Sequence, residues 1–280
     1  MMRYILRSQP FRHAVILGAA FVMIYPLLWM FASSFKAGNE LLTDMSLWPS
    51  DFTFEHYILG WQGVTGISFD RFYLNSFLLV LLVIVGNLAS CSLTAFAFSR
   101  LDFRGKQLMF AIMLVTMMLP FHVIIIPQYL IFNQLGWIDT YLPLSIPKFF
   151  ATEGFFIFLL VQFMRGIPKE LDQAATVDGC GPFQIYWRLM LPLSVPALVT
   201  AAIFSFLWTW NDFFSQLLYL SSIPKYTISM GLRLYMASDG EAVWGRMFAM
   251  SVLSLVPVFA LFVYFQKYLI EGITTGSLKG

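Results

Sequence analysis

Residues Glu170–Pro192 read ELDQAATVDGCGPFQIYWRLMLP, a polar and amphipathic segment in a chain that is otherwise strongly apolar. Pro168 and the glutamate that opens the segment are typical of a helix start, because the first turn tolerates proline and favours acidic charge. Gly179 is typical of a helix end. Pro182 indicates a second, amphipathic helix that ends at Pro192. The segment therefore predicts two short helices joined by a glycine turn.

The first of these helices has a face that suits close contact with another protein. Ala174 and Ala175 are small and share an apolar face with Leu171 and Val177. Asp178, just before the glycine, can hold the turn by a hydrogen bond. The alternative is an amphipathic helix that lies on the lipid headgroups. The shape of the segment leaves both interpretations open.

The composition predicts a membrane protein. Hydrophobic residues make up 59% of the chain and charged residues 11%, whereas a soluble domain carries about 25% charged residues. The net charge of +2 is too small to indicate a nucleic-acid partner. Two cysteines and three scattered histidines predict neither a disulfide framework nor a metal site,. Lipid is therefore the expected main solvent of the chain.

Six apolar runs are long enough to cross a bilayer, which takes about 20 residues. The first run exceeds the apolar core of a secretory signal and is interpreted as a span. The fold class predicted is an all-α membrane protein, one membrane domain over residues 1–280, with six transmembrane helices and a cytoplasmic helix–turn–helix loop. The predicted spans are Ala14–Ser34, Tyr73–Ser99, Leu108–Phe132, Leu144–Met164, Ala197–Leu220 and Phe248–Tyr268.

The basic residues predict the orientation of these spans. Basic residues concentrate on the side that the positive-inside bias assigns to the cytoplasm. That side carries Arg3, Arg7, Arg12, Arg100, Arg104, Lys106, Arg165, Lys169, Arg188, Lys267 and Lys279. The other side carries Lys36, Arg71, Lys225, Arg233 and Arg246. Both termini and the segment Glu170–Pro192 are therefore expected in the cytoplasm, and the loops Phe35–Phe72 and Ser221–Arg246 outside.

The run Ile167–Leu198, IPKELDQAATVDGCGPFQIYWRLMLPLSVPAL, resembles the cytoplasmic coupling motif of permeases of binding-protein-dependent ABC importers. The resemblance is strongest to the carbohydrate-uptake branch and to the smaller permease of maltose-type transporters. Cys180 stands where that family has a small residue such as alanine, and it is itself small. The resemblance extends over essentially the whole chain, through Pro26–Lys36, Leu119–Tyr129, Trp210–Phe213 and Tyr268–Gly280.

The resemblance implies a permease subunit that is not itself an enzyme. The chain contains no GxxxxGK[ST] phosphate loop,, so ATP and Mg²⁺ are expected on a separate ABC ATPase dimer and no cofactor or metal on this chain. The expected complex also holds a second, homologous permease and an extracytoplasmic solute-binding protein in a bacterial inner membrane. The coupling motif, residues 167–192, is expected to dock on the ATPase through Glu170, Ala174, Ala175, Asp178, Gly179, Ile185 and Pro192.

Contact with the same ATPase is implied for the C-terminal tail, with a frayed end as the alternative. The tail residues concerned are Gly272, Thr274, Gly276 and Lys279. The outer loops Phe35–Phe72 and Ser221–Arg246 are candidates for docking the binding protein, and solvated loops are the alternative.

Ionisable residues inside spans are candidates for a solute pathway. The candidates here are Trp208, Asn211, Asp212 and Glu153, with His122 a weaker one; bundle packing or an interfacial position is the alternative for each. The expected solute is a sugar or oligosaccharide, and a glycerol-phosphate-type solute is the alternative within the family. A self-contained secondary transporter or a membrane enzyme remains as an alternative from another class.

Overall fold

The computed structural model describes residues 2–37, 40, 46–64, 66–237 and 241–277, with side chains described for 10–37, 40, 46–64, 66–237 and 243–267. Nearly all regular structure in these ranges is helical, which confirms the all-α expectation. The helices are α1 Met2–Ser33, α2 Glu55–Gln62, α3 Phe69–Arg100, α4 Lys106–Thr116, α5 Phe121–Gln134, α6 Leu142–Ser145, α7 Gly154–Arg165, α8 Glu170–Val177, α9 Pro182–Ile185, α10 Leu191–Leu193, α11 Val195–Asn211, α12 Phe214–Tyr219, α13 Ile228–Met236 and α14 Glu241–Ser277.

The described helices supply between four and six candidate membrane spans. Four are candidates by length and apolar composition: Pro10–Ser33, Phe69–Arg100, Leu142–Arg165 and Val243–Lys267. Of these, Leu142–Arg165 is interrupted, because α6 and a 3₁₀ turn end at Ala151, which has a φ of +55°, before α7 begins. Two more arise only if bent helix pairs count as one span each: Lys106–Thr116 with Phe121–Gln134, and Pro182–Leu193 with Val195–Asn211. The six apolar runs of the sequence therefore correspond to three uninterrupted helices, one interrupted span that contains the predicted run Leu144–Met164, and two bent pairs.

The predicted third span, Leu108–Phe132, is bent by 101° between α4 and α5. Pro120 precedes α5 in an extended conformation, with φ −61° and ψ 129°. Proline lacks the N–H that would continue the helical ladder and disfavours a helical residue before it. The bend is therefore a consequence of Pro120, a proline inside the predicted span, where a kink is the usual result.

The predicted fifth span, Ala197–Leu220, is wrong as a continuous helix. The α11 helix ends at Asn211, and Asp212 is extended with φ −67° and ψ 111°. The Oδ1 atom of Asp212 accepts a hydrogen bond from the Ser215 backbone N–H at 3.1 Å. An aspartate that caps the first turn of the next helix stabilises a break at this point, so α12 begins separately at Phe214.

Packing contacts divide the chain into two compact units, the first formed by Met1–Asp70 with Gly231–Val256. In this unit, Lys36 is 1% exposed and its Nζ atom donates to the Ser46 carbonyl at 2.6 Å. His56 is also buried, and its Nε2 atom lies 2.8 Å from the Lys36 carbonyl oxygen. A Cβ atom placed on Gly245 would lie 2.4 Å from the His56 ring, so α14 can approach this ring only through a glycine.

The second unit comprises Arg71–Met230 and Pro257–Gly280. At one of its ends, the Asp139 carboxylate accepts hydrogen bonds from the Ser221 and Ser222 backbone N–H groups at 2.9 and 2.8 Å. Lys225 lies 2.9 Å from the same carboxylate. The Ser222 hydroxyl and the Lys225 ammonium hold the pKa of Asp139 well below its usual value. This network ties the link between α5 and α6 to the segment that follows α12.

At the other end of the second unit, basic residues gather near the amphipathic segment. Arg165, the last residue of α7, lies with its guanidinium carbon 5.2 Å from the centre of the Phe110 ring. Arg100, the last residue of α3, contacts the segment directly. Two of the residues that the positive-inside bias assigned to one side, Arg100 and Arg165, therefore lie at the same end of this unit as the segment.

Candidate functional site

The coupling segment, residues 167–192, has the predicted helix–turn–helix form. Gly179 adopts a φ of +83°, in the left-handed region that favours glycine. The Gly179 N–H donates to the Thr176 carbonyl at 3.0 Å, and the Cys180 N–H donates to the Ala175 carbonyl at 2.9 Å. This pair of bonds is a Schellman helix end. The backbone holds the turn, whereas the Asp178 side chain is exposed.

The second helix of the segment starts as predicted and ends later than predicted. Pro182 is its first residue, and the Gln184 side chain accepts the Gly181 N–H at 3.0 Å. A π-helical turn follows at Tyr186–Met190. The helix then continues through Pro192 to Leu193 and bends at Ser194. The expectation that Pro192 ends the helix is therefore wrong by one residue, since proline is tolerated in the first turn of the new helix α10.

The segment is anchored from one side. The buried residues Ile185, Tyr186 and Met190 belong to the hydrophobic core of the second unit. The Tyr186 hydroxyl lies 2.8 Å from the Ser92 hydroxyl of α3. Ile185, expected to contact the ATPase, is thus 8% exposed and packs inside its own chain. The side chain of Ile185 positions the segment.

The opposite side of the segment is exposed. The predicted coupling residues Glu170, Ala174, Asp178, Gly179 and Pro192 are exposed, and Ala175 is half-buried against the core. Large apolar side chains join them: Val177, from the apolar face predicted for the first helix, and Phe183 and Trp187, which the sequence analysis did not single out. Val177 is 88% exposed, Phe183 70% and Trp187 60%. An exposed apolar patch on a rigid turn is the kind of surface that another protein covers.

A buried ion pair connects the coupling segment to α3. The Arg100 Nε atom lies 3.1 Å from the Asp172 Oδ2 atom, with side chains 4% and 19% exposed. The Arg100 Nη2 atom also donates to the Ile167 carbonyl at 2.7 Å. Sequence reasoning counted Arg100 only as a basic residue near a span end. The 72 residues that separate the pair leave no local signal for the contact.

A cavity of about 660 Å³ lies within the second unit. All four predicted pathway residues line it: Trp208, Asn211, Asp212 and Glu153. Trp208 is 47% exposed and stacks on the Phe156 ring at 5.1 Å. The exposed His122 is not among the lining residues. The structure therefore brings the four stronger candidates together and leaves the weaker one out.

Residues that the sequence analysis did not propose complete the cavity wall. Lys148 forms an ion pair with Glu153, and both side chains line the cavity. Asn87 and Ser205 line it too, joined by a hydrogen bond of 3.1 Å from Asn87 Nδ2 to Ser205 Oγ. Asn87 lies in the middle part of the 32-residue helix α3. The sequence does contain a signal that could have identified Asn87, because it is a single asparagine in an apolar run of α3 and polar groups inside spans mark candidate sites.

The C-terminal tail is described only as backbone. The α14 helix runs through Gly272, Thr274 and Gly276 and ends at Ser277. The side chains there and all of Lys279 lie outside the described residues. The predicted contact of the tail with an ATPase stays a prediction. No group of three or more potential metal ligands lies together in the described part of the chain.

Comparison with known protein families decides the class of the chain. The family described as "Binding-protein-dependent transport system inner membrane component" matches residues 86–274. The chain belongs to this family. The matched region contains the coupling segment and every residue that lines the cavity except Leu79 and Val83. The family expected from the resemblance of residues 167–198 is thereby confirmed.

Individual relatives extend the match to nearly the whole permease. The chain is 32% identical to the arabinooligosaccharides transport system permease protein of Halalkalibacterium halodurans, over 93% of each chain. It is 31% identical to the trehalose/maltose transport system permease protein of Thermococcus litoralis, over 96% of this chain and 97% of the relative. A crystal structure of a bacterial ABC transporter involved in alginate import matches with a TM-score of 0.83 and 25% identity, over 94% and 96% of the two chains.

Proposed function

We propose that this permease carries a saccharide into the bacterial cytoplasm and that a separate ATPase dimer drives it by binding the coupling segment. The observation that carries the proposal is the segment itself, which is fixed to the core on one side and presents exposed apolar residues on the other. A helix that only rested on lipid would need no buried anchor. The anchor suits the transmission of movement from a partner to the spans.

The saccharide in this proposal is supported by the relatives and by the cavity. Permeases for arabinooligosaccharides and for trehalose/maltose align with nearly the entire chain. The cavity joins aromatic faces with amide and carboxyl groups, and ligand sites combine an apolar lining with a few polar groups in this way. Its volume of about 660 Å³ lies within the range of about 300–1,000 Å³ that is usual for such sites.

Partner proteins supply the remaining functions of the proposed transporter. ATP and Mg²⁺ bind the ATPase, and this chain supplies no nucleotide site. A second, homologous permease covers part of the apolar surface, which includes the span Pro10–Ser33, whose most apolar window has no buried residue within the chain. A solute-binding protein delivers the saccharide from outside. Both termini lie in the cytoplasm, on the side of the coupling segment.

Reconstitution of the complete complex tests the proposal. Proteoliposomes hold ATP and Mg²⁺ inside, and the binding protein is added outside with radiolabelled maltotriose or arabinotriose. We expect accumulation of at least one sugar that requires ATP, the ATPase and the binding protein. Uptake by the permease alone, or uptake that is indifferent to ATP, contradicts the proposal and favours a secondary transporter.

A further inference from the structure

The cavity of the second unit contains an unsatisfied polar group. Asn87 and Ser205 are 2% and 1% exposed, and the Asn87 amide nitrogen donates to the Ser205 hydroxyl. The Asn87 Oδ1 atom is buried and accepts no hydrogen bond within the described part of the chain. Exchange of the amide oxygen and nitrogen would leave the nitrogen unpaired instead. In either orientation, one buried polar atom of this cavity-lining residue lacks a partner in the described part of the chain, which is unfavourable.

Trp208 provides an aromatic surface on the wall of the same cavity. Its ring packs against Phe155, Phe156 and Phe204, with centroid distances of 5.2, 5.1 and 6.0 Å. These three contacts hold the indole in place while about half of the side chain remains accessible. A fixed indole offers an apolar face and one N–H donor. These are the groups that suit the apolar face and the hydroxyl groups of a sugar ring.

The ionisable groups of the cavity wall favour an uncharged ligand. They are Lys148, Glu153 and Asp212. Lys148 is already paired with Glu153 and also attracts the Asp212 carboxylate. That carboxylate accepts hydrogen bonds from the backbone N–H and the side chain of Ser215. One cation therefore faces two carboxylates on the cavity wall. A second carboxylate or a phosphate would meet like charge in a partly desolvated site, where repulsion is stronger than in water. Sugar hydroxyl groups can instead donate to the carboxylate oxygens.

We propose that this cavity is a binding subsite for an uncharged saccharide unit, with Trp208 packing on the sugar ring, Asp212 accepting its hydroxyl groups and the Asn87 amide in the wall behind them. The inference rests on the proposed function, because it places a subsite of the transport pathway within this chain. The proposed subsite is more specific than the transport function, because uronates and phosphorylated solutes are not expected to be its preferred ligands. It also adds Asn87, which sequence reasoning missed.

Saturation-transfer NMR on the complete transporter in lipid nanodiscs, without the binding protein, tests the subsite. The probes are maltotriose, arabinotriose and the acidic trisaccharide trigalacturonate. We expect at least one neutral probe to bind, and trigalacturonate to bind about tenfold more weakly than that probe. If neither neutral probe binds, or if the acidic probe binds equally well, the subsite is wrong.

Two pairs of variants assign the binding to the named residues. Trp208→Leu should weaken binding of the neutral probe about tenfold. Trp244→Leu, which removes an indole of similar exposure, 43% against 47%, outside the cavity lining, should change it less than twofold. Asp212→Asn keeps an acceptor for the Ser215 N–H and should strengthen trigalacturonate binding several-fold. Asp102→Asn makes the same charge change at a fully exposed side chain and should have no effect.

The two proposals fail in different ways. If Trp208→Leu and Asp212→Asn bind all probes like the parent transporter while ATP-driven uptake persists in the parent, the subsite is wrong and the transport function stands. If the parent complex shows no ATP-driven uptake, the transport function is wrong whatever the NMR experiment shows.

Discussion

Replacement of Gly179 with valine will reduce ATP-driven uptake by more than tenfold, with a normal amount of permease in the membrane. At a φ of +83°, a side chain with a Cβ atom costs about 1–2 kcal/mol, and a β-branched residue is the worst case. A Cβ atom at this position meets no other atom within 4 Å. The loss therefore arises from backbone strain in the turn that presents the exposed face.

Matched variants separate this strain from side-chain bulk. Asparagine tolerates the left-handed region better than other residues that have a Cβ atom, so Gly179→Asn should retain more uptake than Gly179→Val. Gly181 also has open space around its Cβ position, but its φ is −75°, so Gly181→Ala should be nearly neutral. Uptake and transport-linked ATP hydrolysis are measured for each variant. Full activity of Gly179→Val would remove this turn from the coupling path.

Replacement of Arg100 with methionine will destabilise the permease by about 2–3 kcal/mol and weaken the coupling of ATP hydrolysis to uptake. Removal of one partner from a buried ion pair costs about 3–5 kcal/mol, and the partial exposure of Asp172, 19%, reduces that figure. The pair links the end of α3 to α8 across 72 residues of sequence. Its loss therefore affects the position of the coupling segment as well as stability.

The chain offers a matched control for this effect. Lys106 and Asp102 form an ion pair 3.4 Å apart next to Arg100, with the Asp102 side chain fully exposed. Asp102→Asn should change stability far less than Arg100→Met, because exposed pairs contribute little. Combination of Arg100→Met with Asp172→Leu should restore part of the lost stability. Thermal unfolding of the purified complex checks these values, and equal effects of Arg100→Met and Asp102→Asn would show that burial of the pair is unimportant.

Local chemistry explains which features were predictable from the sequence. The turn at Gly179 was predictable, because a glycine after an apolar helical run is a local signal for the end of a helix. Asp212 shows the opposite case. Its spacing from Ser215 is typical of a helix cap, yet hydropathy averaged over a window extends the run Ala197–Leu220 across it. The apolar composition therefore predicted a membrane span in this region but gave no sign that the helix breaks at Asp212.

Contacts between distant parts of the chain explain what the sequence did not predict. Trp208, Asn211 and Asp212 are neighbours in sequence, and their grouping was visible. Asn87 joins them only because α3 packs beside α11, and the Arg100–Asp172 pair requires α3 and α8 to meet. Tertiary packing of this kind leaves no periodic trace in a single sequence.

Photo-crosslinking from Val177 tests the docking of the coupling segment most directly. A benzophenone amino acid at this position, 88% exposed, should crosslink to the ATPase subunit in the assembled complex. The same probe at Trp48, 82% exposed in the predicted outer loop, should not. Crosslinks from Val177 to lipid alone would contradict the account and identify the segment as an interfacial helix, and an ATPase crosslink from Trp48 would contradict the assigned orientation.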